Sequence, residues 1–251
     1  MLQQTPVDRV LPAWERWLQR WPSPADLASS SSGDAIRAWE RLGYPRRAAR
    51  LHACAVAIVA EHDGAVPDDE SALLALPGVG SYTAAAVRAF AFGRRSLVLD
   101  TNVRRVLARV LDGRALPPAH ITVGERQRAD DLWPRDDAAA ARWSAAVMEF
   151  GALVCTARTP ACDACRVTDL CTWRAAGYPE AAPARRQPRY EGSDRQARGA
   201  LLRAAREATD DVTAATLARA WPDADQRARA LASLLADGLL VAAPKRRYRL
   251  P

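Results

Sequence analysis

The chain has 251 residues, 49% of them hydrophobic, with a formal net charge of +7. That apolar fraction excludes a disordered chain, and the length allows one large domain or two modest ones. The positive balance suits a polyanionic partner without naming one, and no stretch reaches the roughly 20 apolar residues that a bilayer span needs.

The first two-thirds read as a string of short helices. Val7, Val10, Leu11, Trp14, Trp17 and Leu18 recur at helical spacing, and Pro22 and Pro24 end that run. Residues 29–33 form a polar break that holds a helix cap. Ile36, Trp39 and Leu42 make a second stripe, stopped at Gly43. Residues 46–61 form a third helix, closed by Asp63-Gly64, with Cys54 in its apolar stripe as plain core. A short helix at 71–76 leads into Pro77-Gly78-Val79-Gly80 and an apolar helix at 83–92. Asp100 opens a helix carrying Val103, Val106, Leu107 and Val110, and two more lie near 124–133 and 137–151. No alternating run long enough for a sheet precedes residue 238. The expectation is an all-α domain over residues 1–173, a linker over 174–193 rich in Pro, Ala and Arg, and a small domain over 194–251. That tail predicts helices near 194–208, 213–220 and 224–237 and then a hairpin, an order that is winged-helix-like. Lys245, Arg246, Arg247 and Arg249 fall on the hairpin, where they either touch nucleic-acid phosphates or protect a solvated edge strand.

Cys155, Cys162, Cys165 and Cys171 read C-x6-C-x2-C-x5-C. In a reducing compartment four such thiols are metal ligands rather than disulfides. Either a [4Fe–4S] cluster or a structural zinc satisfies four thiolates. Zinc sites more often use two C-x2-C pairs, and one is present. Arg158 and Arg166, between these cysteines, either face phosphates or are solvated loop charges.

Leu76-Pro-Gly-Val-Gly-Ser-Tyr-Thr-Ala84 stops one helix and starts another. Gly78 and Gly80 permit a tight turn with positive φ, and the unpaired N–H groups of the new helix suit a phosphate. Val98-Leu99-Asp100 then places an acid at a helix N-terminus, where the dipole keeps a carboxylate ionised. It is equally an N-cap, and both roles can belong to one residue. An ionised carboxylate facing a sugar stabilises the cationic transition state of glycosidic cleavage.

Together the LPGVG-x-x-TA, LD-x-NV-x-RV and four-cysteine stretches resemble the endonuclease III/MutY superfamily of helix-hairpin-helix DNA glycosylases over residues 1–173. Met1-Leu-Gln-Gln-Thr-Pro6 and Leu42-Gly-Tyr44 resemble its MutY branch, which removes adenine mispaired with 8-oxoguanine. The resemblance implies a [4Fe–4S] cluster on the four cysteines. It implies a catalytic aspartate at Asp100 with Asn102 helping to position it. Gln4, Leu42 and Tyr44 match residues that enter the duplex and surround the lesion. Gly78, Val79, Gly80 and Thr83 match the phosphate anchor. At Tyr82, members that also cut the strand carry a lysine. A tyrosine forms no imine, which implies a monofunctional enzyme using water.

Three departures from the pattern matter. The family's catalytic glutamate lies two residues before the methionine that Met1 matches. Read from this start, the chain is expected to bind lesion DNA and to excise adenine very slowly, and a start assigned to an internal methionine is the favoured explanation. The position ten before the first cluster cysteine, often Gln or Glu, is Ala145. The Nudix-like domain that reads 8-oxoguanine is not evident. The alternatives are a non-catalytic lesion-binding protein and an oxidised-pyrimidine glycosylase. The expected partner is duplex DNA with A:8-oxoguanine mispairs, bound by a monomer in the bacterial cytoplasm, at the nucleoid, with no membrane association.

Overall fold

The computed structural model describes residues 1–3, 5–181 and 189–251. Gln4 and residues 182–188 of the expected linker lie outside them. In chain order the helices are α1 (Val7–Arg20), α2 (Pro24–Ala28), α3 (Ser32–Ala38), α4 (Arg46–Glu61), α5 (Glu70–Ala75), α6 (Ser81–Ala91), α7 (Thr101–Val110), α8 (Val123–Leu132), α9 (Asp137–Leu153) and α10 (Thr172–Ala175). Then come α11 (Asp194–Glu207), β1 (Val212–Thr213), α12 (Ala214–Ala220), α13 (Ala224–Ala236), β2 (Val241–Ala243) and β3 (Arg247–Arg249). The fold is mainly α. Among the described residues no helix is long and apolar enough to cross a membrane.

Contacts divide the chain into two units. The first holds Met1–Pro67, Leu76–Gly78 and the described residues from Arg189 onward; the second holds Asp68–Ala75 and the described residues from Val79 to Ala181.

In the first unit, α1 turns Val10, Ala13 and Trp17 inward. Trp17 meets Trp21 and Trp39 edge-on, with ring centroids 4.8 and 5.6 Å apart. Helix α2 was not expected, because Pro22 and Pro24 read as a break. Pro24 is instead a first helical residue, whose missing N–H costs nothing there. Ser23 and Asp26 close a capping box in front of it. Ser31 caps α3, and the chain leaves α4 through Asp63 and Gly64 at φ 52° and 78°.

The same core runs on through Ala197, Leu201, Leu217, Leu234, Leu239 and Leu250. Packing therefore divides the chain differently from the expected boundaries of 1–173 and 194–251. The tail keeps its winged-helix order and buries its apolar faces with the N-terminal helices. Arg37 donates to the carbonyls of Arg206 and Ala208, and Arg46 pairs with Asp237. A segment of this size is marginal alone, and sharing a core with the N-terminal helices buries more of its apolar surface. The sheet order is β1-β3-β2, antiparallel throughout, with Tyr248 opposite both Val212 and Ala242. Strand β1 went unread in the sequence because two residues carry no alternation.

In the second unit, α7 is the central helix. Leu99, Val103 and Leu107 pack with Ala129, Trp133 and Ala140. The Trp133 indole donates to the buried Ser144 hydroxyl at 2.9 Å. Arg104 and Glu125 form a buried ion pair that ties α7 to α8.

Candidate active site and metal centre

Asp100 is the N-cap of α7. Its Oδ1 accepts from the backbone N–H of Val103 at 2.6 Å, and its Oδ2 accepts from the Asn102 amide at 2.9 Å. Both oxygens are thus oriented, the residue is half-buried, and no arginine hydrogen-bonds to it among the described residues. Such a carboxylate is fixed in direction yet keeps free lone pairs. Tyr82, on the first turn of α6, is partly exposed. Burial, and then the negative charge of Asp100, holds its phenol above the ordinary tyrosine value. It therefore stays protonated at neutral pH. The structure thus joins the expected Asn102 to Asp100 and places Tyr82 within reach of the Asp100 charge.

Sequence reading missed the group that holds Asn102. Arg105, 7% exposed, donates to Asn102 Oδ1 at 2.9 Å, to the Gly151 carbonyl at 2.6 Å and to the Cys155 carbonyl at 2.8 Å. Burial, and then the neighbouring Arg109, pulls its guanidinium below the ordinary arginine value. A chain of hydrogen bonds thus runs from the first cysteine of the metal segment to the carboxylate. The readable signal was the spacing of Arg105 and Arg109, four residues apart on α7 and so on one face, among its buried Val103, Val106 and Leu107.

Gly151 of α9 lies directly under this turn. A Cβ there would come 2.8 Å from Asn102 Cβ and 2.9 Å from its carbonyl oxygen. Gly151→Ala is expected to cost about 1–3 kcal/mol of stability by overpacking. It should slow any reaction at Asp100 more than the shift in melting temperature accounts for. Wild-type rate and stability together would show that Asn102 yields without consequence.

The four cysteines are all free thiols and half-buried, on a segment containing two single turns of 3-10 helix. Arg109, 2% exposed, donates to Cys155 Sγ at 3.3 Å and to the carbonyls of Thr156 and Ala157 at 2.7 and 3.1 Å. Its guanidinium also lies 4.5 Å from the Trp173 ring centroid. Among the described residues no three Cys, His, Asp or Glu side chains converge tightly enough for a single ion. Four cysteine sulfurs within one short segment are a donor set that fits a [4Fe–4S] cluster. Purified protein is expected to be yellow-brown, with iron and acid-labile sulfide in equal amount; a colourless protein containing zinc would overturn this. Arg158 and Arg166 are exposed on the same segment.

At the hairpin, Gly78 has φ +80°, and a Cβ there would meet Arg50 Cβ at 2.9 Å. Gly80 departs from the expectation. Its φ is −104°, so it needs no left-handed freedom and serves as the N-cap of α6. Nothing lies within 4 Å of a Cβ built on Gly80. Gly80 thus leaves open space before the N–H groups of an 11-residue helix. Val79 and Thr83 are half-buried beside it. Gly78→Ala is expected to lower stability by about 1–3 kcal/mol through strain and crowding. Gly80→Ala should leave melting within a degree or two but weaken duplex binding severalfold (roughly), because the methyl obstructs a phosphate approach. Equal effects of the two substitutions on melting would refute the distinction.

In the first unit, Tyr44 is 61% exposed and held at φ +46°, a conformation rare for an aromatic residue. Leu42 is a correction. It is 6% exposed and belongs to the core, so it is not free to enter a duplex. Arg47, also missed, ties this corner together. It donates to the carbonyls of Met1 and Gln3 and to the Thr5 hydroxyl, and lies 5.4 Å from the Tyr44 ring centroid.

Comparison with known proteins follows the same lines. Residues 1–125 match the model of the HhH-GPD superfamily base excision DNA repair proteins, and residues 155–171 match the iron–sulfur binding domain of endonuclease III. An adenine DNA glycosylase of Mycobacterium tuberculosis is 51% identical over 253 residues, covering 100% of this chain and 83% of that protein. One from Mycolicibacterium smegmatis is 50% identical over 241 residues, covering 96% and 81%. Among solved structures, a thermostable thymine-DNA glycosylase superposes with a TM-score of 0.60 at 25% identity, covering 70% of this chain and 80% of that one.

Proposed function

We propose, for a chain that belongs to the HhH-GPD superfamily of base excision DNA repair proteins and within it to the adenine DNA glycosylases, hydrolytic removal of adenine opposite 8-oxoguanine with water as nucleophile. The enzyme is a DNA N-glycosylase that carries an iron–sulfur cluster. The observation that carries the mechanism is the Asp100 carboxylate at the head of α7, oriented by Val103 and Asn102 and, among the described residues, unpaired with any arginine. Cleaving the N-glycosidic bond leaves positive charge on the deoxyribose, and a fixed anion beside it lowers that barrier without reorganisation. The base is first flipped from the duplex, which costs least at a mispair.

Tyr82 supports the hydrolytic reading. A phenol kept protonated forms no imine with the sugar, and the one lysine, Lys245, lies on the tail hairpin. Tyr44 is the candidate for entering the duplex, and Gly78, Val79, Gly80 and Thr83 for anchoring a phosphate. Cys155, Cys162, Cys165 and Cys171 would hold the [4Fe–4S] cluster, which ties together the segment on which Arg105 and Arg109 rest. The enzyme acts as a monomer on nucleoid DNA in the cytoplasm.

The test uses labelled duplexes carrying A:8-oxoguanine, A:G or thymine glycol, each read with and without alkali. Product from A:8-oxoguanine that forms slowly, and appears only after alkali, is expected. Strand breaks without alkali would overturn the monofunctional reading. Product from thymine glycol instead would overturn the substrate.

A further inference from the structure

The hairpin β2–β3 carries cations that the excision chemistry does not use. Lys245, Arg246, Arg247 and Arg249 are exposed, and among the described residues none of their side chains has a hydrogen-bond or ion-pair partner. Elsewhere in the tail the arginines are mostly committed. Arg198 binds Ser233 and Asp237, Arg206 binds the Glu40 carbonyl, Arg227 binds the Trp221 and Pro222 carbonyls, and Arg229 pairs with Asp194. Arg247 and Arg249 flank Tyr248, which packs on the core, so alternation places both on the outer face of β3.

The turn itself is unusual. Lys245 and Arg246 both adopt left-handed conformations, at φ 61° and 54°. Hairpin turns of this kind favour Asn and Gly, which enter that region at little cost. Two long cationic side chains there carry a conformational cost that Asn or Gly would not.

The helix that would enter a major groove in a winged-helix protein is poorly suited to do so. Asp223 caps α13 and Asp225 lies in its first turn, an arrangement that repels phosphate. Asp34, Asp210 and Asp211 line a cleft with Arg247 and Arg249. They form no ion pair with those arginines, and Lys245 and Arg246 stand clear of that cleft. We infer that the tip of the β2–β3 hairpin is a second DNA contact of this glycosylase, binding duplex phosphates through Lys245 and Arg246 without reading bases. The contact rests on the chain being a DNA-binding protein but not on which base it removes.

The test uses a lesion-free duplex and the full chain. Lys245 is the chain's one lysine, so acylation of its amine is read unambiguously by mass spectrometry. Bound duplex is expected to slow that acylation severalfold, and an unchanged rate would overturn the inference. A second arm replaces the turn by Lys245→Asn together with Arg246→Gly, which relieves the backbone while removing both charges. Melting should be unchanged or raised. Duplex affinity should fall about tenfold or more at about 0.1 M salt, and the slope of log K against log salt should become shallower by about 2. Wild-type affinity and slope in this variant would refute the wing contact while leaving base excision untouched. A wild-type chain that binds no duplex at all would overturn both readings.

Discussion

Asp100→Asn is expected to lower adenine release at least about 100- to 1000-fold while leaving duplex affinity within a factor of about three. The substitution is informative because of what it preserves. An asparagine is as good an N-cap as an aspartate, so its side-chain oxygen still accepts from Val103 and α7 stays in place. What disappears is the negative charge and the acceptor character of Oδ2, which now becomes an amide facing the Asn102 amide. Single-turnover excision and equilibrium binding on the same duplex separate the two effects. An Asp100→Asn enzyme with ordinary excision would remove Asp100 from the chemistry and leave it as a cap. A variant that no longer folds would be seen as a lost melting transition, and Asp100→Ser, another good cap without charge, then serves in its place.

Arg105→Ala is expected to cost about 3 kcal/mol or more of stability, with excision falling further than stability explains. Three oxygens now depend on this one guanidinium, and truncation leaves all of them buried without donors. Asn102 loses the bond that fixes its amide, and the carboxylate of Asp100 loses its orientation in turn. Arg105→Lys keeps the charge but not the planar fork, so it should recover part of the stability and little of the orientation. The diagnostic reading is a fall in kcat with little change in KM, measured on protein of wild-type iron content. A lysine variant with full rate and full stability would show that the three bonds are incidental.

Arg105 and Arg109, the two arginines of α7 that carry no carboxylate partner among the described residues, differ in what they support. Arg105 reaches the carboxylate through Asn102, while Arg109 reaches the sulfur of Cys155 and the backbone beyond it. Both are buried, and neither has a carboxylate partner among the described residues; each is stabilised by carbonyl oxygens and, for Arg109, by the Trp173 ring. A buried cation satisfied by carbonyls is specific about geometry, because each N–H of the fork must find its own oxygen. This makes α7 rigid at the end where the chemistry is proposed.

Local signals made most elements legible in the amino-acid sequence. Helical spacing of Val10 and Trp17, the Asp63-Gly64 stop after α4 and the N-cap at Asp100 each involve residues within a turn or two, and such neighbours interact whatever the rest of the chain does. The four cysteines were legible for the same reason, since ligands within a short loop need little chain closure. Local reading failed where a residue's role is set from far along the chain. Prolines that looked like a break begin α2, because capping decides there. Leu42 matched residues that enter a duplex and is buried, in a core that also draws on α1 and the tail. The tail looked like a separate domain and shares the N-terminal core. Arg105 meets Cys155 across 50 positions of sequence, and Arg37 meets Ala208 across 171. Spacing and propensity fixed where helices start and stop; which polar groups those helices bury together was settled only when the packed chain had to find partners for most of its desolvated nitrogens and oxygens.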